Sequence, residues 1–296
     1  MSLKTIVQTL GGELYDAGRR ASIPAPGHSR QDRSVSLLLQ GGRLVVHSFS
    51  DGDWRCVLDH LRDHHLIDEA NCPISVSSPP ETIADVPTGH QRRSAALRLW
   101  AGGTPLKGTL SERHCRLRSV TRGLPGPNAL RHHSSVPTLA YADKGPRYPA
   151  MMAAIEDTSG SLCGVEITYL NGRGERARHL RLPRKTLGQL PAGCAVRLDG
   201  AASEMLVGEG VFTTLCASQH FGLPAWALLS IANLRAWTPP EGVRKVLIAA
   251  DRGQVGQEGA SRLRSRLAAL RLGARIRLPP EPFGDWNDWS VAQQAG

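Results

Sequence analysis

The chain of 296 residues is long enough for two or three compact domains, and 41% hydrophobic with 21% charged residues is the composition of a globular protein. Its net charge of +10 points to a polyanionic partner, nucleic acid or an anionic membrane surface. No apolar run is long enough to cross a bilayer, and the N-terminus lacks the charged start and apolar stretch of a signal peptide, so a cytoplasmic protein facing DNA or RNA is expected, with no membrane partner.

Residues 1–70 read as a small β-rich module. Ser34–Leu39 and Leu44–Phe49 are predicted strands around the turn Gln40-Gly41-Gly42, and Asp53–His65 a helix with Val57, Leu58 and Leu61 on one face. Residues 71–89, with Ser-Ser-Pro-Pro and few bulky side chains, read as a linker. Residues 90–200 form a basic region, in which helices are predicted at His90–Trp100 and Ser111–Val120. Residues 90–150 carry eleven Lys or Arg against two acids, dispersed among apolar residues as on a folded basic face. Strands follow at Met152–Ile155 and Gly164–Leu170, then a second basic stretch from Gly172 to Lys185 with six basic residues and one acid. The six cysteines include no C-x-x-C pair, which indicates neither a zinc ribbon nor a disulfide framework, and they are expected to be reduced and mostly buried.

Residues 201–296 alternate strand and helix: Met205–Val207, helix Val211–Phe221, Ala225–Leu229, helix Ile231–Trp237, Val246–Ala250, helix Gln257–Leu272 and Ala274–Leu278. The fold class expected is α/β, a mostly parallel sheet flanked by helices, preceded by the basic α+β region and the small β-rich module. Chemistry in such sheets gathers at the carboxyl ends of the strands. Glu209 and Asp251 fall there, and Asp285 and Asp288 lie close together further on. Carboxylates so placed suit a hard divalent cation that binds phosphate.

These residues carry a family resemblance. G-E-G-V-F-T-T-L (208–215) resembles the first signature of primase-type Toprim domains. I-A-A-D-R-G-Q-V-G-Q-E-G-A (248–260) resembles their second, a strand followed by D-x-D-x-x-G, and D-W-N-D (285–288) their closing acidic motif. A-S-Q-H-F-G-L-P-A-W-A-L-L-S (217–230) is similar to segments of primase-like Toprim proteins of mobile elements and phages. P-L-K-G-T-L-S-E-R (105–113) and P-A-M-M-A-A-I (149–155) resemble what precedes such domains. The resemblance implies Glu209 and Asp251 as catalytic residues. It also implies Glu209, Asp251, Asp285 and Asp288 as ligands of Mg²⁺ or Mn²⁺. The chain departs from the pattern at Gly253, which stands where the second Asp of D-x-D belongs, with the cation Arg252 beside it. Losing a carboxylate there is expected to weaken metal binding.

In the front module, A-P-G-H-S-R-Q-D-R-S-V-S-L (25–37) and L-V-V-H-S-F-S-D-G-D-W (44–54) resemble the zinc-ribbon module that precedes primase cores. Ala25 replaces the first cysteine, and Ser48 and Asp51 stand near the later pair. His28 and His47 are too few ligands for a closed site, so a ribbon-like fold with no structural zinc is expected.

The function implied is a primase-like nucleotidyltransferase making short RNA primers on single-stranded DNA from NTPs, with any helicase activity supplied by a separate partner. No G-x-x-x-x-G-K-[ST] phosphate loop is present. Template and nucleotide phosphates are expected on Arg113, Arg116, Arg118, Arg173, Arg176, Arg178, Lys185 and Arg252, with His28 and Arg33 contributing from the front module. Aromatic residues make up 5%, which favours backbone electrostatics over base stacking and a strong dependence on salt. The alternative is a degenerate Toprim protein that binds DNA without catalysis, as a replication accessory or inhibitor; a Toprim nuclease ranks third.

Overall fold

The computed structural model describes residues 3–30, 32–48, 54–74 and 88–295. The chain divides into two compact units, Met1–Asp85 and Val86–Gly296.

The N-terminal unit is an antiparallel sheet of β1 (Glu13–Tyr15), β2 (Arg20–Ile23), β3 (Val35–Gln40) and β4 (Arg43–Ser48), in that order. In β3 burial alternates: Val35, Leu37 and Leu39 enter the core while their neighbours do not, as a half-buried strand requires. They pack with Ile6 of α1 (Lys4–Leu10) and with Val57, Leu58 and Leu61 of α2 (Trp54–Asp63). Helix α1 and strands β1 and β2 were not foreseen from the sequence, because each is only three to seven residues long. The two ends of the expected linker, residues 71–89, are bonded to their neighbours. Asn71 accepts from the Leu44 N–H (2.8 Å) and Ile74 donates to Leu66 (3.0 Å), so residues 71–74 belong to the first unit, while Thr88 already caps the next helix. Residues 75–87 and Asp51 lie outside the described residues.

Where the zinc-ribbon likeness places the first cysteine, a carboxylate organises the loop. Asp32 accepts from the Ala25 N–H (2.9 Å), the Ser34 hydroxyl and the Ser34 N–H (3.2 Å), and its Oδ2 lies 3.1 Å from His28 Nδ1. These donors, the Ser34 hydroxyl first, hold the Asp32 carboxyl at about 2. A depressed carboxylate contributes stability that is present above its unfolded value of about 3.9 and is lost as the pH falls toward 2. Asp32→Ala is expected to destabilise the unit by about 2 kcal/mol at pH 7. Thermal unfolding at pH 7 and pH 3 reads this, and a variant that melts with the wild type at pH 7 would remove Asp32 from this role.

The second unit holds two sheets. The antiparallel one runs β5 (Leu130–Leu139), β6 (Lys144–Glu156), β7 (Leu162–Tyr169) and β8 (Arg184–Gly188). The sequence signalled only parts of β6 and β7. Strand β5 was hidden by its His-His-Ser-Ser run and internal Pro137, β8 by its charge. One face of this sheet packs on α3 (Gly89–Ala101) through Val165, Ile167, Tyr169 and Leu187. The other shares a core with α4 (Leu110–Leu117) and α5 (Val211–Phe221) through Leu130, Met151, Ala153 and Ile155.

The second sheet has β10 (Glu204–Gly208) at its centre, with β11 (Ala225–Ala227) and β12 (Lys245–Ala249) as parallel neighbours and β13 (Gly273–Arg277) parallel beyond β12. Its far edge is β9 (Val196–Arg197), antiparallel to β11, so a strand from before residue 200 completes this sheet. The remaining helices are α6 (Ile231–Ala236), α7 (Gln254–Ala269) and α8 (Trp286–Ala295). Every strand and helix anticipated after residue 201 is present, with α7 opening three residues early and α8 unforeseen. Helix α5 is buried from Val211 through Ser218, its Thr213, Thr214 and Ser218 included, which is why its pattern is not amphipathic. Among the described residues no helix is long and apolar enough to cross a membrane.

Candidate active site and basic cleft

The acids singled out from the sequence stand where strands give way to helices. Glu209 follows β10, and its carbonyl accepts from the Leu229 N–H (2.7 Å) while that of Gly208 accepts from Leu228 (2.8 Å), which ties the strand end to the exit of β11. Asp251 follows β12, and Gly256 lets the first turn of α7 close on it: a Cβ there would lie 2.9 Å from the Asp251 carbonyl oxygen. Helices α5 and α7 therefore both begin beside a carboxylate, which their positive N-terminal ends favour.

The four acids share one electrostatic neighbourhood. Burial raises the Glu209 carboxyl, and the charge of Arg184 partly opposes this. Burial also pushes Asp251 up to about 7, and the negative charges of Glu209, Asp285 and Asp288 add to the rise. Asp251 Oδ1 is buried and has no hydrogen-bond partner. A carboxylate oxygen without a donor, with three acids near, fits a hard divalent cation, which takes oxygen ligands. Among the described residues, however, no three His, Cys, Asp or Glu side chains converge as a ready metal cage. Mg²⁺ or Mn²⁺ held by Asp251 and Glu209 would complete its shell with water or phosphate oxygens, the usual habit of Mg²⁺.

Asp285 and Asp288 differ in role. Asp285 Oδ1 accepts from the Asp288 N–H (2.7 Å) and so caps α8. Asp288 is exposed and lines a cleft of about 640 Å³. Between them Asn287 is fully buried and donates to the Arg118 carbonyl (2.6 Å), with Cys216 Sγ at 3.1 Å, so it fastens the acidic motif to α4 and α5. The sequence showed Asn287 as part of D-W-N-D, but nothing in the motif revealed this anchoring.

The wall of the cleft is basic, with Arg118, Arg176, Arg178 and His179. Arg176 is half-buried, and burial followed by the charges of Arg118, Arg184 and Arg178 lowers its pKa, an effect that the charge of Glu166 only partly opposes. The rim is the turn after β7, where Asn171 Oδ1 accepts from the N–H groups of Arg173 (2.8 Å) and Glu175 (3.0 Å). Of the residues expected to bind phosphates, Arg118, Arg176 and Arg178 meet here. Arg113 and Arg173 are exposed and do not line the cleft.

Three expected phosphate ligands are otherwise engaged. Arg116 donates to the carbonyls of Val120 (2.6 Å) and Arg122 (3.2 Å), closing the end of α4. Lys185 donates to the Thr138 carbonyl, lies 5.1 Å from the Tyr169 ring centre and is lowered by burial. Alternation along β8 puts its neighbour Arg184 on the opposite face, where its charge acts on Glu209 and on the buried Glu166. Arg184 is the residue missed, and period two in Arg-Lys-Thr-Leu-Gly was the signal that could have found it. Arg252 donates to Glu281 Oε1 (2.9 Å) and the Pro279 carbonyl (2.7 Å). The cation beside the incomplete D-x-D is thus directed into a loop. In the N-terminal unit, His28 pairs with Asp32, and Arg33 donates to the carbonyls of Arg30 and Asp32 (both 2.8 Å). Trp54 in the same unit is 47% exposed beneath the Arg55 guanidinium, so it is not a core residue.

Two family models match the chain: a domain of unknown function (DUF7146) over residues 90–198 and a Toprim domain over residues 204–296. No curated protein matches. Among solved structures, the zinc-binding and RNA polymerase domains of the Aquifex aeolicus primase are similar at 13% identity and TM-score 0.44, over 99% of this chain and 81% of that one. A DnaG primase catalytic domain bound to ssDNA is similar at 12% identity and TM-score 0.42, over 70% and 77%. The primase fragment of the bacteriophage T7 primase-helicase is similar at 14% identity and TM-score 0.37, over 62% and 70%. At these scores they stand as likenesses only. The strand-end acids, the parallel sheet and the matched residues agree with one another, and residues 204–296 are a Toprim domain.

Proposed function

We propose that this protein is a primase-like nucleotidyltransferase that extends short RNA primers on single-stranded DNA, using Mg²⁺ or Mn²⁺ held by Glu209 and Asp251. One observation carries this: Asp288 belongs both to the acidic group around Asp251 and to the wall of a cleft that also holds Arg118, Arg176 and Arg178. Carboxylates beside crowded arginines can hold a metal-bound triphosphate, with the cation neutralising charge on the leaving oxygen. Duplex DNA would have to be opened by a separate helicase.

Primer synthesis on single-stranded DNA with NTPs and Mg²⁺ or Mn²⁺ tests the proposal. Glu209→Ala is expected to lower the rate by about 100-fold or more while DNA binding persists. Arg176→Ala with Arg178→Ala is expected to weaken binding and flatten its dependence on salt by about 1.4 in the log–log slope. Gly253, standing where D-x-D has its second carboxylate, favours a second reading, a protein that binds DNA without catalysis. Intact DNA binding by a wild type that makes no primer under either metal would establish that alternative.

A further inference from the structure

His114, one of the residues lining the cleft, is in an unusual state. It is on α4, 3% exposed, and its ring forms part of the cleft wall. Nδ1 is 2.9 Å from the carbonyl oxygen of Gly174, in the turn that makes the rim. A carbonyl only accepts, so Nδ1 carries the proton, and in a neutral imidazole Nε2 is then an acceptor. Burial keeps the ring neutral, pushing its pKa down to about 4, with the charges of Arg118 and Arg176 adding to the effect. Phe212 packs edge-on against the ring at 5.1 Å and prevents it from turning freely.

Nε2 has no hydrogen-bond partner. A buried acceptor left unmade costs about 1–3 kcal/mol, and such groups are rare enough to require a cause. Around it the cleft offers donors with full positive charge, Arg118, Arg176 and Arg178, which suit phosphate oxygens. An acceptor fixed among them suits the opposite part of the same ligand, a hydroxyl that donates. A nucleoside triphosphate has both within a few ångströms: acidic oxygens on the phosphates and hydroxyls on the sugar.

We infer that His114 is a specificity-determining residue, its Nε2 accepting a hydrogen bond from a ribose hydroxyl of a nucleotide whose phosphates lie on Arg118, Arg176 and Arg178. The inference rests on the proposal that the cleft binds nucleotides, and it adds the means of distinguishing ribose from deoxyribose. Nε2 has almost no water-accessible surface, so the long arginine side chains must shift as the sugar enters. Sites that contain an acceptor for a substrate hydroxyl reject analogues lacking it, because the acceptor is then left buried and unpaired.

Equilibrium binding to the full chain with Mg²⁺ present tests this, using ATP, 2′-deoxy-ATP, 3′-deoxy-ATP and inorganic tripolyphosphate as ligands. The wild type is expected to bind ATP at least about tenfold more tightly than one of the two deoxy forms. His114→Phe is expected to bind that deoxy form and ATP alike, with tripolyphosphate binding unchanged. His114→Gln is expected to restore discrimination, since its amide can donate to Gly174 and present an acceptor to the cleft. Equal binding of ATP and both deoxy forms by the wild type overturns the role of His114 without any variant, even if His114→Phe fails to fold. Failure of the wild type to bind tripolyphosphate and ATP at all would instead overturn the nucleotide cleft itself.

Discussion

Asp251→Asn is expected to abolish metal-dependent primer synthesis and, at the same time, to make the metal-free protein more stable above pH 7. The two effects have one origin. In the folded chain burial and the charges of Glu209, Asp285 and Asp288 hold the Asp251 carboxyl at about 7, against about 3.9 in an unfolded chain. Below about pH 4 the group is neutral in both states and has no effect on folding. Between pH 4 and 7 the folded state retains a proton that the unfolded state has released, so stability falls as the pH rises. Above pH 7 the full cost is present, at most about 4 kcal/mol and less where water reaches the group. Asparagine carries no charge and escapes that cost. Melting curves at pH 5 and pH 8 in a chelator are expected to show wild type losing stability across the interval while Asp251→Asn does not. A divalent ion added at pH 8 is expected to raise the wild-type midpoint alone. If both proteins melt together at pH 8, the acidic group is not under the strain described here.

Gly253→Asp is expected to fold normally and to tighten divalent-metal binding by about tenfold or more, since each added carboxylate ligand strengthens a hard-cation site. Gly253 has φ −169° and ψ 155°, extended backbone that any residue adopts, and it sits at the N-cap of α7, where aspartate is favoured over glycine. A Cβ built there meets nothing within 4 Å. The position therefore offers no structural reason for glycine, and the missing carboxylate is a chemical difference rather than a packing requirement. Titration of Mg²⁺ or Mn²⁺, followed by thermal midpoint and by primer yield, measures the gain. Unchanged affinity would mean that Asp251 and Glu209 bind the ion without help from this side.

Much of the C-terminal sheet was legible because its central strands β10 and β11 are buried on both faces and its helices are bounded by Gly210, Gly222 and Ser230, each a recognisable start or stop. Glu209 and Asp251 were legible for a related reason, since position at a strand end is itself the signal. The antiparallel sheet was harder. Strand β5 breaks its own pattern with shifted register between His133 and Val136, and again between Pro137 and Leu139. The basic residues were the least legible part. Density of charge picked out two separate basic stretches but could not show that Arg118 meets Arg176 and Arg178, nor separate these from Arg116, Lys185 and Arg252, which donate to backbone carbonyls. Nor could it show His114, whose meaning depends on a carbonyl sixty residues away.

The arginines and the acids lie on different stretches of chain, but those stretches are laced together. Arg122 grips Asp199 with both arms and reaches Ser218, Gln219 accepts from the N–H groups of Thr121 (2.6 Å) and Arg122 (3.0 Å), and Asn287 holds the carbonyl of Arg118. All of these join the segment carrying α4 to α5, α8 or the approach to β10. A ligand entering the cleft would thus meet Arg118 and Asp288 on segments already fastened together, with little free energy drawn off to bring them into place.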